Sequence, residues 1–366
     1  MERDGLPPSM PPRKGAAPRP SLPLAGAAAL LGAFLAWPAG CGAPPPGPGP
    51  LVPSAALDRY QRRLLPRGDG SYVTCYASPA PGKGPAPLVF FCQGGGYASM
   101  FVRDAAGDLH DRLGWVWTDS AFSGRIRLAF VEKRGVRLGD DGEGEPRRAA
   151  LEHDTLEERV EDVLRALEVL LADPGTDRSR VALLGHGEGA LVAAEAAARS
   201  KGVTHLGYFA NGGLSHLLEL AWTRRAELAA AGKEGAALEG GMDAFFETAA
   251  RALRTPPEGE ALPFGRTPSH VRSFWDRRPL DLLLRLEIPL FAAVPGRDPH
   301  VPAFSTDALR LAFLSAGKGN LTFRVYPGLD HGFTLPPSTE AAGGGGDPFR
   351  FPRVFDEFCA WFVGSP

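Results

Sequence analysis

The chain has 366 residues, of which 44% are hydrophobic and 22% are charged. This size and composition predict a soluble globular protein with a sizeable core, and they exclude a disulfide-stapled miniprotein and an intrinsically disordered chain. Forty basic residues stand against 42 acidic residues, so the formal net charge of -2 offers no basic field to a phosphate backbone, and we expect no nucleic-acid partner.

The N-terminal residues have the order of a secretory signal. Basic residues precede an uncharged apolar run over residues 24–37, which is shorter than the roughly 20 residues of a membrane span. The run closes with Pro-Ala-Gly before Cys41, which resembles a bacterial lipoprotein cleavage site, although Pro38 replaces the usual aliphatic residue. We predict that residues 1–41 are a signal peptide of lipoprotein type, and that the protein is exported to the periplasm and tethered to the membrane by a lipid on Cys41. A disordered tail is the alternative interpretation.

Residues 42–56 are rich in proline and glycine, which predicts a stiff tether before a folded domain over residues 57–366. If Cys41 carries a lipid, Cys75, Cys92 and Cys359 allow at most one disulfide. Their spacing selects no pair, and three small buried apolar side chains are an equally good interpretation.

Strand-like segments alternate with helical patterns along the rest of the chain. The strand candidates are residues 71–76, 87–92, 126–132, 180–184, 205–210, 289–294 and 321–326. Several are continuous apolar runs, as in strands covered on both faces, so the alternation predicts an α/β fold with a mostly parallel sheet and helices on both faces. Residues 214–287 are largely helical and too long for a loop, which predicts a helical cap inserted over the active edge of the sheet.

Local signals also place three helices. Thr155 followed by Glu158 predicts a capping box, with reciprocal side-chain hydrogen bonds at the start of a helix that ends near Asp173. Residues 189–201 and 354–363 have the composition and spacing of helices.

The strand candidate at residues 180–184 runs into Gly185-His-Gly187-Glu-Gly189 and then directly into a helix. This pattern resembles the nucleophile elbow of the α/β-hydrolase superfamily, whose motif is G-x-S-x-G between a strand and a helix. Gly185 and Gly189 match the two glycines that the tight turn requires. Gly187, however, stands where the resemblance implies the nucleophilic serine.

The resemblance continues towards the C-terminus. A strand followed by Gly296-Arg-Asp298 and then Val301-Pro matches the family's acid motif, and Asp298 is the implied triad acid. The last strand leads into a loop in which His331 matches the triad histidine. The order of elbow, acid and histidine is that of α/β-hydrolases. We interpret the adjacent Asp330 as a carboxylate that caps the loop.

The segment Gln93-Gly94-Gly95-Gly96 occupies the position of the family's oxyanion loop, after an early strand. Its backbone amides, with that of Glu188 after the centre of the elbow, are the implied donors to an oxyanion. Residues 131–136 also resemble a strand end and turn of the family, and the resemblance covers about residues 71–363.

The resemblance is to the dienelactone hydrolase and serine aminopeptidase branches, and it implies hydrolysis of an ester or amide in a small molecule or peptide. Because Gly187 has no side chain, we expect the protein to be inactive or weakly active by the serine mechanism. The alternatives are a pseudoenzyme that binds a ligand or protein in the cell envelope, a dyad of Asp298 and His331 that activates water, or a relocated nucleophile at Cys92 or Ser99.

The expected partner is a small-molecule or peptide ligand, and the sequence does not indicate an oligomeric state. We expect no cofactor. His186 and Glu188 flank the elbow, but the sequence has no metal-ligand spacing, so we expect no metal site.

Overall fold

The computed structural model describes residues 54–104, 106–255, 263–335 and 348–364. The predicted signal peptide, Cys41 and residues 42–53 of the predicted tether lie outside the described residues, so export and lipidation stay predictions. Residues 54–56 were assigned to the tether on their sequence, but they begin a helical turn, Ser54–Arg59, in which Ala56 is fully buried. The folded domain therefore starts slightly before residue 57. Among the described helices, none has the length and apolar character needed to cross a membrane.

The strands alternate with helices, as the sequence predicts. In chain order the strands are β1 (Gln61–Pro66), β2 (Tyr72–Ala77), β3 (Ala86–Cys92), β4 (Phe101–Arg103), β5 (Leu109–Asp111), β6 (Arg127–Val131), β7 (Thr176–His186), β8 (His205–Phe209), β9 (Leu290–Pro295) and β10 (Leu321–Tyr326). The helices are α1 (Trp115–Thr118), α2 (Gly144–Leu151), α3 (Leu156–Ala172), α4 (Glu188–Arg199), α5 (His216–Ala230), α6 (Gly235–Arg254), α7 (Pro268–His270), α8 (Pro279–Leu283), α9 (Ala303–Ser315) and α10 (Phe351–Gly364).

Eight strands form one sheet in the order β1-β2-β6-β3-β7-β8-β9-β10, while β4 and β5 form a separate hairpin. The strands from β6 to β10 along this order are parallel, and β2 is antiparallel to both of its neighbours. From β3 the chain moves outward to β6 and then crosses back to β7, so the order reverses between β3 and β7. Ligands of open α/β sheets bind beside the carboxyl ends of the strands at such a reversal.

Two apolar layers cover the sheet. One face packs against α3, α4, α8 and α9, and the other packs against α10, the first helical turn and the region around α1. The central strands β8 and β9 are buried along their whole length, which explains their continuous apolar sequences. The predicted mostly parallel α/β architecture is confirmed.

Helices α5 to α8 lie between β8 and β9, where the sequence predicts a cap. Helices α5 and α6 pack against each other, and a π-helical turn, Val271–Trp275, follows α7. Phe274 and Trp275 of this turn are buried in the apolar core beside α4. The cap is therefore packed onto the domain at the edge of the sheet where the strands end.

The start of α3 differs in part from the predicted capping box. Thr155 Oγ1 accepts a hydrogen bond from the amide of Glu158 at 3.3 Å, as predicted. The Glu158 carboxylate does not complete the box; it lies 3.7 Å from Arg134 and 3.6 Å from His153. The Glu158 side chain thus faces Arg134 and His153 instead of the backbone amide of Thr155.

Candidate active site

The turn between β7 and α4 has Gly187 at its centre. Its φ of +55° and ψ of -127° would cost a residue with a side chain about 1–3 kcal/mol. The amide of Gly187 donates to the carbonyl of Phe209 at 3.0 Å, which joins the turn to the end of β8. The turn therefore has the positive φ expected at the centre of a nucleophile elbow, a conformation that would strain any residue other than glycine.

The two flanking glycines lie where a side chain has no room. A Cβ on Gly185 would be 2.1 Å from the carbonyl oxygen of Gly189, and a Cβ on Gly189 would be 2.2 Å from the carbonyl oxygen of Cys92. Cys92 also pairs with Gly185 in the sheet. The loop after β3 consequently lies directly beside the elbow.

Asp298 and His331 form a hydrogen-bonded pair beyond the ends of β9 and β10. His331 Nδ1 lies 2.7 Å from Asp298 Oδ2, while Asp298 Oδ1 accepts from the amides of His300 and Val301 at 2.8 and 3.0 Å. Burial of Asp298 opposes its ionisation, but His331 and the two amides outweigh burial, and the pKa of Asp298 lies below its usual value. An ionised Asp298 holds the proton of His331 on Nδ1 and makes Nε2 the basic nitrogen.

His331 Nε2 points at Gly187. A Cβ on Gly187 would be 3.2 Å from this nitrogen, which is buried and has no hydrogen-bond partner among the described residues. A buried polar atom without a partner is unfavourable, because it has lost its hydrogen bonds to water. The geometry therefore presents a basic nitrogen to the space that a nucleophilic side chain fills in a serine hydrolase.

His186 holds the backbone of the loop that carries His331. Its Nε2 donates to the carbonyl oxygen of His331 at 2.8 Å. Burial, followed by the positive charge of His331, lowers the pKa of His186 to about 3, so the ring is neutral at pH 7. His186 thus fixes the backbone of His331, and the structure gives it no role as a metal ligand.

The glycine loop lies next to the elbow, and its carbonyls point towards two basic side chains. Lys133 Nζ donates to the carbonyls of Gly94 and Gly96, each at 2.7 Å. Arg159 donates to the carbonyls of Gln93 and Gly94. Burial, followed by the charge of Arg159, lowers the pKa of Lys133 to about 7, and the amine can donate to both carbonyls in either protonation state.

This arrangement decides where the loop amides point. The C=O and N–H of a trans peptide unit point in opposite directions, so the amides of Gly94 and Gly95 face away from the two basic side chains. Among the described residues, these two amides donate to no acceptor. The side chain of Gln93 turns towards the end of β6, so Gln93 contributes only its backbone to the loop.

The Glu188 side chain belongs to a buried ion-pair network. Glu188 Oε1 accepts from His270 Nε2 at 3.0 Å and from Trp275 Nε1 at 3.1 Å. Asp154, Glu188 and His270 each place one possible metal-ligand atom within 4.8 Å of the others. Arg159 and Arg266, however, lie 3.6 to 3.8 Å from the same two carboxylates. Their charges already neutralise the carboxylates and would repel a metal cation.

A cleft of about 530 Å³, including its open mouth, extends from Gly187 to the cap. Its lining is mostly apolar and includes Leu191, Leu214, Phe274, Trp275, Pro279 and Val301. Three histidines also line it: His216, His300 and His331. Glu188, Asn211 and Arg277 line it as well. An apolar cleft with polar groups that converge on it is typical of a small-molecule site.

The two candidates for a relocated nucleophile have other roles. Cys92 is buried in the core, and burial raises the pKa of its thiol to about 12. Ser99 is also buried and donates to the carboxylate of Glu132 at 2.6 Å. Cys75 and Cys359 are buried free thiols as well, so the interpretation of these cysteines as small core residues holds and no disulfide forms among them. Asp330 Oδ1 accepts hydrogen bonds from the amides of Gly332 and Thr334, as expected for a carboxylate that caps the loop.

The structure therefore assembles the predicted elbow, acid, histidine and glycine loop at one edge of the sheet. Sequence analysis missed Lys133, Arg159, His216 and the network of Asp154 and His270. Only Lys133 had a signal, because it lies in the strand end and turn that resemble the family. The other residues are distant in sequence from the motifs of the site, and only the folded chain brings them close to it.

No protein-family model matches the sequence, and no curated protein resembles it at a significant level. Solved structures do match the fold. The acylaminoacyl peptidase of Pyrococcus horikoshii has a TM-score of 0.51 at 16% identity, over 84% of this chain and 42% of that one. An acylaminoacyl peptidase in complex with Z-Gly-Gly-Phe-chloromethyl ketone has a TM-score of 0.54 at 16% identity, over 83% and 41%.

Est1E from Butyrivibrio proteoclasticus matches with a TM-score of 0.50 at 14% identity, over 83% of this chain and 99% of Est1E. The chain thus spans less than half the length of the two peptidases and nearly the whole of Est1E. At these identities the likeness is one of fold. Together with the strand order, it shows that the chain has the α/β-hydrolase fold.

Proposed function

We propose that the protein is a slow acyl hydrolase that works without a serine, with His331 and Asp298 as the general base for a water molecule. The observation that carries this proposal is the unpartnered, buried Nε2 of His331, aimed at the space above Gly187. A protein that had lost its catalytic role would gain stability by giving this buried nitrogen a hydrogen-bond partner. The substrate class is an ester or amide of a small molecule or short peptide, in keeping with the peptidases and the esterase that share the fold.

In the proposed reaction, His331 Nε2 takes a proton from water while the water oxygen bonds to the acyl carbon. The carbonyl oxygen becomes an oxyanion, and the proposal assigns the amides of Gly94, Gly95 and Glu188 as its hydrogen-bond donors. The bond to the leaving group then breaks, and the leaving group departs with a proton. The products are a carboxylic acid and an alcohol or amine.

The expected rate is low, for reasons of magnitude. Removing the nucleophile of a measured serine protease costs about a millionfold in kcat and leaves roughly 10³ to 10⁴ over the uncatalysed reaction. General base catalysis typically contributes about 10² to 10⁴, and one oxyanion donor about 10² to 10³. We therefore expect turnover well above the background rate but far below that of a serine hydrolase.

The test is hydrolysis of 4-nitrophenyl acetate by the wild-type chain and by its His331→Ala and Asp298→Asn variants. We expect His331→Ala to remove the activity above background, and Asp298→Asn to reduce it by about 10² or more, because the imidazole loses its orientation and tautomer. Surface imidazoles also cleave this ester slowly, so His153→Ala is the matched control, since His153 is one-third exposed and lies away from the cleft. His153→Ala should leave the rate unchanged.

An equal loss in the His331→Ala and His153→Ala variants, or no activity in the wild type, would refute the hydrolase. If the wild type is inactive but binds 4-nitrophenyl acetate or its product acetate in a manner that depends on His331, the protein is a binding module with a retained hydrolase cleft. That outcome corresponds to the pseudoenzyme alternative.

A further inference from the structure

The cap brings a second imidazole and carboxylate pair to the cleft. His216 is the first residue of α5, and Glu219 follows one turn later, with its Oε2 3.0 Å from His216 Nδ1. Glu219 is fully buried, and Ser305 Oγ donates to its other oxygen at 2.5 Å. A buried carboxylate is costly unless it is hydrogen-bonded, so both partners are needed to keep Glu219 inside the protein.

This pair has the same form as the pair of Asp298 and His331. In each, a buried carboxylate engages Nδ1 of an imidazole that lines the cleft. The ring of His216 also packs edge to face with the indole of Trp275, with ring centroids 5.0 Å apart. The carboxylate and the indole together hold the His216 ring in one orientation.

His300 links the two pairs in space. Its ring lies 5.0 Å from that of His331. Burial first, and then the charges of His331 and His216 among its neighbours, lower the pKa of His300 to about 4. His216, His300 and His331 line the same cleft, so both outer imidazoles face the space that a bound ligand would occupy, while His300 itself stays neutral at pH 7.

A hydrolase without an acyl-enzyme transfers protons at two different places, since water loses one and the leaving group gains one. His331 receives the proton of the attacking water on one side of the acyl carbon, and the leaving oxygen or nitrogen needs a proton on the other side. In a serine mechanism one histidine serves both roles in turn, because it takes the proton of the serine and then gives it to the leaving group of the same tetrahedral adduct. In the water mechanism a second donor beside the leaving group would protonate it while His331 still holds the proton of the water, so neither imidazole has to reach both positions.

We propose that His216, oriented by Glu219, donates the proton to the leaving group. This inference rests on the hydrolase proposed above. The imidazolium form of His216 pairs with the Glu219 carboxylate and transfers its Nε2 proton to the leaving oxygen or nitrogen as the bond to the acyl carbon breaks. His331 then releases the proton it took from water, His216 regains one from solvent, and the net reaction consumes one water molecule.

The test compares two esters whose leaving groups differ in their need for a proton. Nitrophenolate departs without a proton, whereas an alkoxide is a poor leaving group and requires one. We expect His216→Gln to lower kcat/KM for benzyl acetate by about 10² or more beyond any effect that it has on 4-nitrophenyl acetate. Glu219→Gln should show the same pattern to a smaller extent. Glu227→Gln is the matched control, because it lies on the same helix, is partly exposed and does not line the cleft.

A structural role for the pair predicts a different result, in which His216→Gln lowers the rates of both esters by the same factor. That result, or no effect on benzyl acetate, overturns the inference. Thermal unfolding of each variant identifies a general loss of folding.

A binding measurement separates this inference from the hydrolase proposal. Benzyl methylphosphonate is a stable mimic of the tetrahedral adduct of benzyl acetate and water, and its benzyl oxygen stands in for the leaving oxygen. We expect His216→Gln to weaken its binding about tenfold relative to the wild type, and to have little effect on methylphosphonate, which lacks the benzyl group. This result would support His216 at the leaving group even if wild-type turnover fails. Equal binding to both chains would overturn the inference, and no binding to the wild type would overturn both proposals.

Discussion

At the scale of single residues, Gly187 leaves the centre of the turn between β7 and α4 without a side chain, while the acid and histidine pair beside it is complete. Nothing else in the described site collapses around the missing side chain. Asp298 still holds His331, and Nε2 still faces the position where a Cβ would stand, 3.2 Å away. The backbone of Gly187 also keeps a positive φ that glycine adopts without strain. Glycine at position 187 therefore suits the turn, and the neighbouring residues leave the Asp298 and His331 pair available to a side chain introduced there.

We predict that Gly187→Ser converts the protein into a serine esterase. Restoring the nucleophile should raise the hydrolysis of 4-nitrophenyl acetate by about 10² or more over the wild type, with a burst of nitrophenol as the acyl-enzyme forms. The strained backbone should lower the free energy of unfolding by about 1–2 kcal/mol, after allowing for the smaller entropy of the unfolded chain. Rapid-mixing kinetics and urea unfolding measure the two effects.

Gly187→Ala is the matched control for this variant. It should lose the same stability, because it meets the same backbone strain, and should gain no activity. A serine variant that is as stable as the wild type and forms no acyl-enzyme would contradict the assignment of Gly187 to the elbow.

At the scale of secondary-structure elements, the joint between β7 and α4 depends on close packing of backbone against backbone. Gly185 and Gly189 allow α4 to start directly behind the strand and beside the loop after β3. This contact sets the glycine loop directly beside the start of α4, whose first residue is Glu188. The two glycines therefore position the elements that would bind the oxyanion.

We predict that Gly185→Ala destabilises the protein by at least about 3–4 kcal/mol or prevents folding, because the new Cβ would lie 2.1 Å from a backbone oxygen that cannot move without α4. The control is Gly240→Ala in α6, where a Cβ meets nothing within 4 Å. This substitution should stabilise the protein by about 0.5–1 kcal/mol, because alanine favours the helix. Urea unfolding of the two variants checks both signs, and similar behaviour of the two would contradict the packing argument.

The elements also show what a sequence can predict. The buried strands were predicted within one or two residues of their ends, except that β7 starts at Thr176, four residues before its predicted start. Apolar runs and flanking turns are local signals, whereas the first residues of β7 are polar. The first strand, with the sequence QRRLLP, and the three-residue strands β4 and β5 were missed, since they are polar or short. Half of the capping box failed because Arg134, distant in sequence, competes for the Glu158 carboxylate.

At the scale of the whole molecule, the difference between predicted and unpredicted site residues is one of distance along the chain. Gly187, Asp298 and His331 each follow a strand within a short motif, so the pattern identifies them. The partnership of Glu219 with Ser305 joins residues 86 positions apart, and that of Glu188 with Trp275 joins residues 87 apart. Such contacts depend on how the cap packs, which no local motif encodes.

The fold also buries two ionisable side chains, His186 and Glu132, whose pKa values shift in opposite directions. His186 stays neutral, and burial together with His331 lowers its pKa to about 3. Glu132 is buried at the end of β6, and burial raises its pKa to about 7 despite hydrogen bonds from Ser99 and Met100. Their unfolded pKa values are about 6.5 and 4.3, so both groups change protonation on folding between about pH 4.5 and 6.5.

We predict that substitutions of these two residues change the pH dependence of stability in opposite directions. In this window the unfolded chain binds a proton at His186 that the folded chain lacks, so His186 makes the free energy of unfolding rise with pH, by up to about 1.4 kcal/mol per unit. Glu132 keeps its proton in the folded chain and loses it on unfolding, so it makes stability fall with pH. His186→Gln should therefore flatten or reverse the pH dependence of the wild type, and Glu132→Gln should steepen the rise. Urea unfolding at several pH values between about 4.5 and 6.5 measures both slopes. If both variants shift the slope in the same direction, then at least one of these groups has the same proton occupancy in the folded and unfolded chains, and its burial does not control its charge.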